Sequence, residues 1–134
     1  DMKSEAYTIS KMDDDYLKMA AQAVAKAFEV DADEVLGKSR TQPLVFARQT
    51  AYWLIKQGMG YTFCHTGRMF SRDHGGIMHG VKKVEEVLEL DLTCKHTNGS
   101  WADNIRKSRE NFIEFDRVYK EVKQEEATDV VQPS

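Results

Sequence analysis

The sequence predicts an all-α fold, a domain of several helices closed by an additional long C-terminal helix. Apolar residues recur at helical spacing in four segments, around residues 17–28, 44–55, 77–88 and 101–122. Only two of the 134 residues are proline, so little interrupts those segments. Short polar or glycine-bearing stretches separate them, as turns between packed helices require.

Residues 1–11 show no period and read as a disordered or tag-derived start. Asp13, Asp14 and Asp15 then favour a helix N-terminus, where unpaired N–H groups carry partial positive charge. Leu17, Ala20, Val24, Ala27 and Phe28 form the apolar stripe of that helix, expected to end near Val30. Asp31 with Glu34 resembles a capping box for a short turn in which Val35 and Leu36 close over the core, and Gly37 stops it. The polar, basic loop 38–42 leads into Pro43, which suits the first turn of a helix running to about Gln57. Leu44, Ala47, Ala51, Leu54 and Ile55 make its buried face, and Arg48 and Lys56 are expected to reach solvent or a ligand.

Gly58 and Gly60 end that helix, and a short helix over about 62–70 follows. A tight turn then leads to a longer helix from about Asp73, with the stripe Ile77, Val81, Val84 and Leu88 and with Ser71 or Asp73 placed to cap it. After Asn98-Gly99, Ser100 is placed to cap a last helix over about 100–123. Its residues Trp101, Ile105, Ser108, Phe112, Phe115, Tyr119 and Val122 recur at spacings of four and three, a heptad-like seam expected to pack back on its own domain. The alternative is a protein partner or self-association through this helix. The chain thus divides into a start at 1–11, a helical domain at 12–92, a loop with the C-terminal helix at 93–124, and a disordered tail at 125–134.

Composition bounds the function. With 41% hydrophobic and 31% charged residues, the chain is expected to be a soluble globular protein with a real core. Cys64 and Cys94 are far apart and form no CxxC pair, which argues against a disulfide scaffold or a zinc finger and for a cytoplasmic location. No apolar run approaches the roughly 20 residues that span a bilayer, so no membrane partner is expected.

Charge is sorted along the chain. Of 19 Lys+Arg and 22 Asp+Glu, residues 37–83 hold eight basic groups and one acid, leaving 11 against 21 elsewhere. A segment of net +7 inside flanks of net −10 is suited to a polyanion. The same stretch holds two helices joined by a short turn, the second opening on Arg72, Asp73 and His74. That is the arrangement of a helix-turn-helix, whose second helix enters the major groove of DNA.

Three runs, Val45-Phe46-Ala47-Arg48-Gln49-Thr50-Ala51, Thr66-Gly67-Arg68-Met69-Phe70-Ser71-Arg72-Asp73-His74 and Ile77-Met78-His79-Gly80-Val81-Lys82-Lys83-Val84, carry a family likeness. Over about residues 20–90 the chain resembles the C-terminal DNA-binding domain of the bacterial replication initiator DnaA. The resemblance implies a helix-turn-helix of DnaA C-terminal type that binds double-stranded DNA in replication initiation or its regulation. It implies a minor-groove role for Arg40, major-groove contacts from Arg72, Asp73 and His74, and a phosphate contact from Lys56. The candidate DNA-binding set is therefore Lys38, Arg40, Arg48, Lys56, Arg68, Arg72, Asp73, His74, Gly75 and Gly76.

Departures from the family pattern matter equally. Where the family has two hydroxyl residues, this chain has Gly75 and Gly76, which remove a donor and a thymine-methyl contact and weaken the helix start by about 1 kcal/mol per glycine. The alternative function is accordingly a protein-interaction or regulatory module on the same scaffold with weakened base recognition. No GxxxxGK[ST] loop is present, so ATP hydrolysis is not expected, and the chain reads as an excised domain or a free-standing relative.

No catalytic residue, cofactor or metal site is expected. His65, His74, His79 and His96 with Cys64 and Cys94 match no standard ligand spacing. Asp73-His74 lacks a nucleophile or second carboxylate and suits base contact or capping. Tyr52, Trp53, Tyr61 and Phe63 sit at helical spacing beside Leu54 and Ile55 and are expected in the core rather than stacked on bases. Glu85, Glu86, Glu89 and Asp91 read as a solvated face turned away from DNA.

Overall fold

The computed structural model of the chain describes residues 9–93 and 99–131, all of whose regular structure is helical. The helices are α1 (Lys11–Phe28), α2 (Ala32–Val35), α3 (Leu44–Met59), α4 (Phe63–Phe70), α5 (His74–Thr93) and α6 (Gly99–Val131). Ser10 caps α1 by accepting the Asp13 N–H, so this helix starts just inside the stretch expected to be frayed. Asp31 caps α2 through the Asp33 N–H at 2.8 Å, as the sequence predicts. Val35 is fully buried there, but Leu36 is exposed and does not close over the core.

One core runs through the molecule, with Val24, Val35, Ile55, Val84 and Ile105 fully buried at the meeting of α1, α2, α3, α5 and α6. The predicted stripes of α1 and α3 face it, as do Val84 and Leu88 of the α5 stripe, with Val87 adding a position that the 4-3-4 spacing did not include. A smaller cluster of Tyr52, Ile77 and Val81 ties α3 to α5. The two helices come close because Gly80 has no side chain: a Cβ there would lie 2.8 Å from the Tyr52 ring.

Helix α6 packs antiparallel to α1. Trp101 meets Phe28 and Phe46, with ring centroids 6.2 and 4.3 Å away, Asn111 donates to the Ala23 carbonyl at 3.1 Å, and Tyr16 packs on Phe112 and Tyr119. The seam is thus turned inward, with Ile105, Ser108 and Phe112 buried, and only its last member, Val122, is largely exposed. The buried Ser108 hydroxyl donates to the Asn104 carbonyl at 2.8 Å, which lets a polar residue occupy the seam. The helix already includes Ser100, and it continues past the expected end near residue 123 because no proline or glycine intervenes before Pro133. Residues 1–8, 94–98 and 132–134, and with them the expectations for Cys94, His96 and the Asn98 turn, lie outside the described residues.

Candidate nucleic-acid interface

Helices α4 and α5 meet at a turn whose geometry follows from three residues. Ser71 adopts a left-handed conformation (φ 56°) and ends α4, and the Arg72 N–H returns to the Gly67 carbonyl at 2.8 Å. Gly67 is required there, since a Cβ would lie 2.6 Å from the Arg72 carbonyl oxygen. Asp73 then accepts the Gly75 N–H at 3.0 Å and caps α5, one of the two caps the sequence offers. At the other end of the motif Thr62 caps α4 through the His65 N–H at 3.0 Å.

The first turns of α5 face outward. His74, Gly75, Gly76, Met78, His79, Lys82 and Lys83 are exposed, while Ile77, Gly80, Val81 and Val84 face the core. Beside this helix start lies a cleft of about 800 Å3 lined by Lys38, Arg40, Val45, Arg48, Gln49, Tyr52, Arg72, Asp73 and Gly76. It joins residues from the 38–42 loop, α3, the α4–α5 turn and the first turn of α5, which are up to 38 positions apart in the sequence. Lys38 and Arg40 are exposed at its rim. A second cleft of about 660 Å3 shares Val45 and Gln49 with the first and runs along α5 past His79, Lys82 and Lys83 to Trp101.

Arg48 corrects one expectation. It is buried, not solvent-reaching, and donates from Nε to the Val35 carbonyl (2.7 Å), from Nη1 to Ser39 (2.9 Å) and from Nη2 to Glu34 (3.4 Å). Its guanidinium fixes the end of α2 and the start of the loop that carries Lys38 and Arg40. Burial is the main influence lowering its pKa and the nearby Arg72 acts the same way, while Tyr52 opposes them; an arginine remains charged regardless. Arg72 is half-buried and donates to the Gly37 carbonyl at 3.0 Å, locking the turn to the same loop. Helical spacing placed Arg48 beside a buried face, but spacing alone does not reveal that backbone carbonyls of another element come within its reach.

Of the remaining candidates, Lys56, Arg68, His74 and Gly75 do not line this cleft. Lys56 is half-buried with Nζ 4.8 Å from the centre of the Phe63 ring, and Arg68 is exposed on α4. His74 and Asp73 are both largely exposed with Nδ1 and Oδ1 4.0 Å apart, too far for a hydrogen bond. Tyr52 is in the core and Trp53, Tyr61 and Phe63 pack partly buried against it, as expected. Among the described residues no group of three or more His, Cys, Asp and Glu side chains is arranged to hold a metal ion, and no helix is long and apolar enough to cross a membrane.

The structure also contains a buried polar group with no evident signal in the sequence. Asp13, one of three consecutive acids, turns inward and accepts the Tyr61 hydroxyl at 2.6 Å, with His65 Nε2 at 2.8 Å on its other oxygen. It anchors α4, the first helix of the motif, to α1. Its neighbours Asp14 and Asp15 remain on the helix surface beside Lys18 and Lys11.

A family model described as the bacterial dnaA protein helix-turn-helix matches residues 18–84, half of the chain. The chain is 36% identical over 70 residues to chromosomal replication initiator protein DnaA 2 of Protochlamydia amoebophila, a match covering 52% of this chain and 16% of that protein. It is 36% identical over 75 residues to the DnaA of Thermomicrobium roseum (55% and 16%), and 36% identical over 76 residues to that of Rhizobium meliloti (56% and 16%). The matched part thus spans about a sixth of the length of these relatives.

Proposed function

From the premise that this chain belongs to the bacterial DnaA helix-turn-helix family, we propose that it binds double-stranded DNA without catalysis, in replication initiation or its regulation. In this reading α5 enters the major groove, the loop bearing Lys38 and Arg40 reaches the minor groove beside it, and Lys56, Arg68 and Arg72 lie along phosphates. The observation that carries it is the cleft at the start of α5, where a loop, a helix and a turn bring Lys38, Arg40 and Arg72 beside Asp73 and Gly76. Arg48 serves this surface from behind, by holding the loop. Arg72 keeps a backbone partner, so its contribution to phosphate binding is that of a positioned charge.

The test is fluorescence anisotropy against a duplex carrying a DnaA-type box and a scrambled duplex, each at two salt concentrations. Tighter binding to the box supports base reading with Gly75 and Gly76 in place. Equal binding with a steep salt dependence leaves a protein that reads phosphates alone. Absence of binding at low salt overturns the proposal and favours a protein-interaction module, for which Val118 and Val122, exposed one turn apart on α6, offer an apolar contact.

A further inference from the structure

We propose that Met78 reads the thymine methyl group in the major groove, taking over part of the base recognition that Gly75 and Gly76 cannot supply; the proposal rests on the DNA-binding reading above. Met78 stands on the exposed side of α5 one turn after His74, 46% exposed and a member of neither apolar cluster. Of the large exposed apolar residues among the described ones, it alone lies on the first turns of α5. Its neighbours on that side are His74, Gly75, His79 and Lys82, a polar and basic surface in which a thioether has no packing role.

Gly75, three residues before Met78 on the same side of α5, makes room for it, and Gly76 leaves the adjoining side bare as well. At Gly76 a Cβ would meet nothing within 4 Å, and at Gly75 only the Asp73 carboxylate, so the first turn of α5 presents bare backbone to whatever it approaches. A helix with no side chain at Gly75 can sit closer to the groove floor on the side that Gly75 shares with Met78, which brings Met78 within reach of the base edges. The one apolar feature a base pair displays in the major groove is the C5 methyl of thymine. Methionine is unbranched and flexible and adapts its contact to such a target.

The experiment uses the full chain. Wild-type protein first selects sites from a randomised duplex pool. Each thymine of the recovered site is then replaced by uracil, which deletes the methyl and leaves the hydrogen-bonding edges unchanged. We expect one or two positions where uracil weakens wild-type binding about fourfold, the effect of removing one buried methyl-sized group. Met78→Ala should bind the thymine and uracil duplexes equally, and Met78→Leu should retain the discrimination. Uracil penalties that are equal in wild type and Met78→Ala, or absent at every position, overturn the role of Met78 while leaving salt-dependent duplex binding intact. Loss of all salt-dependent duplex binding by the wild type instead overturns the proposed function, and this inference with it.

Discussion

Arg48 and two glycines show how single residues divide between building the interface and forming it. Arg48 supplies three hydrogen bonds to backbone carbonyls on α2 and the following loop, and bonds from a charged donor contribute about 1.5–3 kcal/mol each when the partner would otherwise be buried unpaired. Arg48→Ala should therefore lower the unfolding free energy by about 3 kcal/mol in urea titration. Arg48→Lys should recover little of it, because one ammonium cannot reproduce the fork to Glu34, Val35 and Ser39. A phosphate-contacting arginine would give the opposite result, with stability unchanged and only DNA affinity reduced. Gly67→Ala and Gly76→Ala form a similar contrast. At Gly67 a Cβ meets backbone that cannot swing aside, so a loss of about 2 kcal/mol or more is expected, whereas at Gly76 the Cβ enters open space on a helix and should stabilise by up to about 1 kcal/mol. Thermal melts of both variants check this. The residue scale was also where the sequence was least legible. Arg48 and Asp13 are charged groups in amphipathic helices, and only the approach of other elements sends them inward.

At the scale of elements the sequence was far more legible, because each helix announces itself by its own period and caps. Asp31, Thr62 and Asp73 act on N–H groups two or three residues away, so local sequence is enough to place them. The seam of α6 was equally visible as a period, although its partner was not, since a heptad-like stripe fits its own domain or another chain alike. Here the partner is α1, and the joint is built from phenols as well as rings: Tyr16 donates to Asp116, and Tyr119 to Asp15 at 2.9 Å. Burial first, and the hydrogen bond to Asp116 second, raise the Tyr16 phenol well above its ordinary value of 10.0, and Tyr119 moves the same way. A raised folded-state pKa contributes stability that is fully present below about pH 10 and is lost as pH rises from there towards the folded value. The urea midpoint should therefore hold steady from neutral pH to about pH 9 and fall above pH 10. Tyr16→Phe should be less stable at pH 7 and show a shallower alkaline fall. An equal alkaline slope in both proteins would mean that Tyr16 does not carry the effect.

For the whole molecule the deciding property is the segregation of charge. The chain is acidic overall at a formal net charge of −3, yet residues 37–83 carry net +7, and the fold gathers part of that segment around one cleft. Acidic residues that could cancel it are engaged elsewhere: Asp13 on Tyr61 and His65, Asp91 on Arg106, and Glu114 and Glu121 on Arg117. Most of these pairs are on the solvent surface and add little to stability, but the carboxylates in them do not line the basic cleft, where Asp73 is the acid present. A polyanion approaching the molecule is thus steered to one side, and binding there must release counterions. Lys38→Ala and Arg40→Ala should each reduce the slope of log affinity against log salt by about 1, whereas Arg109→Ala, at an exposed α6 position that does not line the cleft, should leave that slope unchanged. The comparison is informative because all three substitutions remove the same unit of charge. If the Arg109 variant lost as much slope as the Lys38 variant, net charge alone would govern binding and the cleft would have no special part in it. If only the loop variants lose slope, the phosphates lie where α3, the loop and the start of α5 converge.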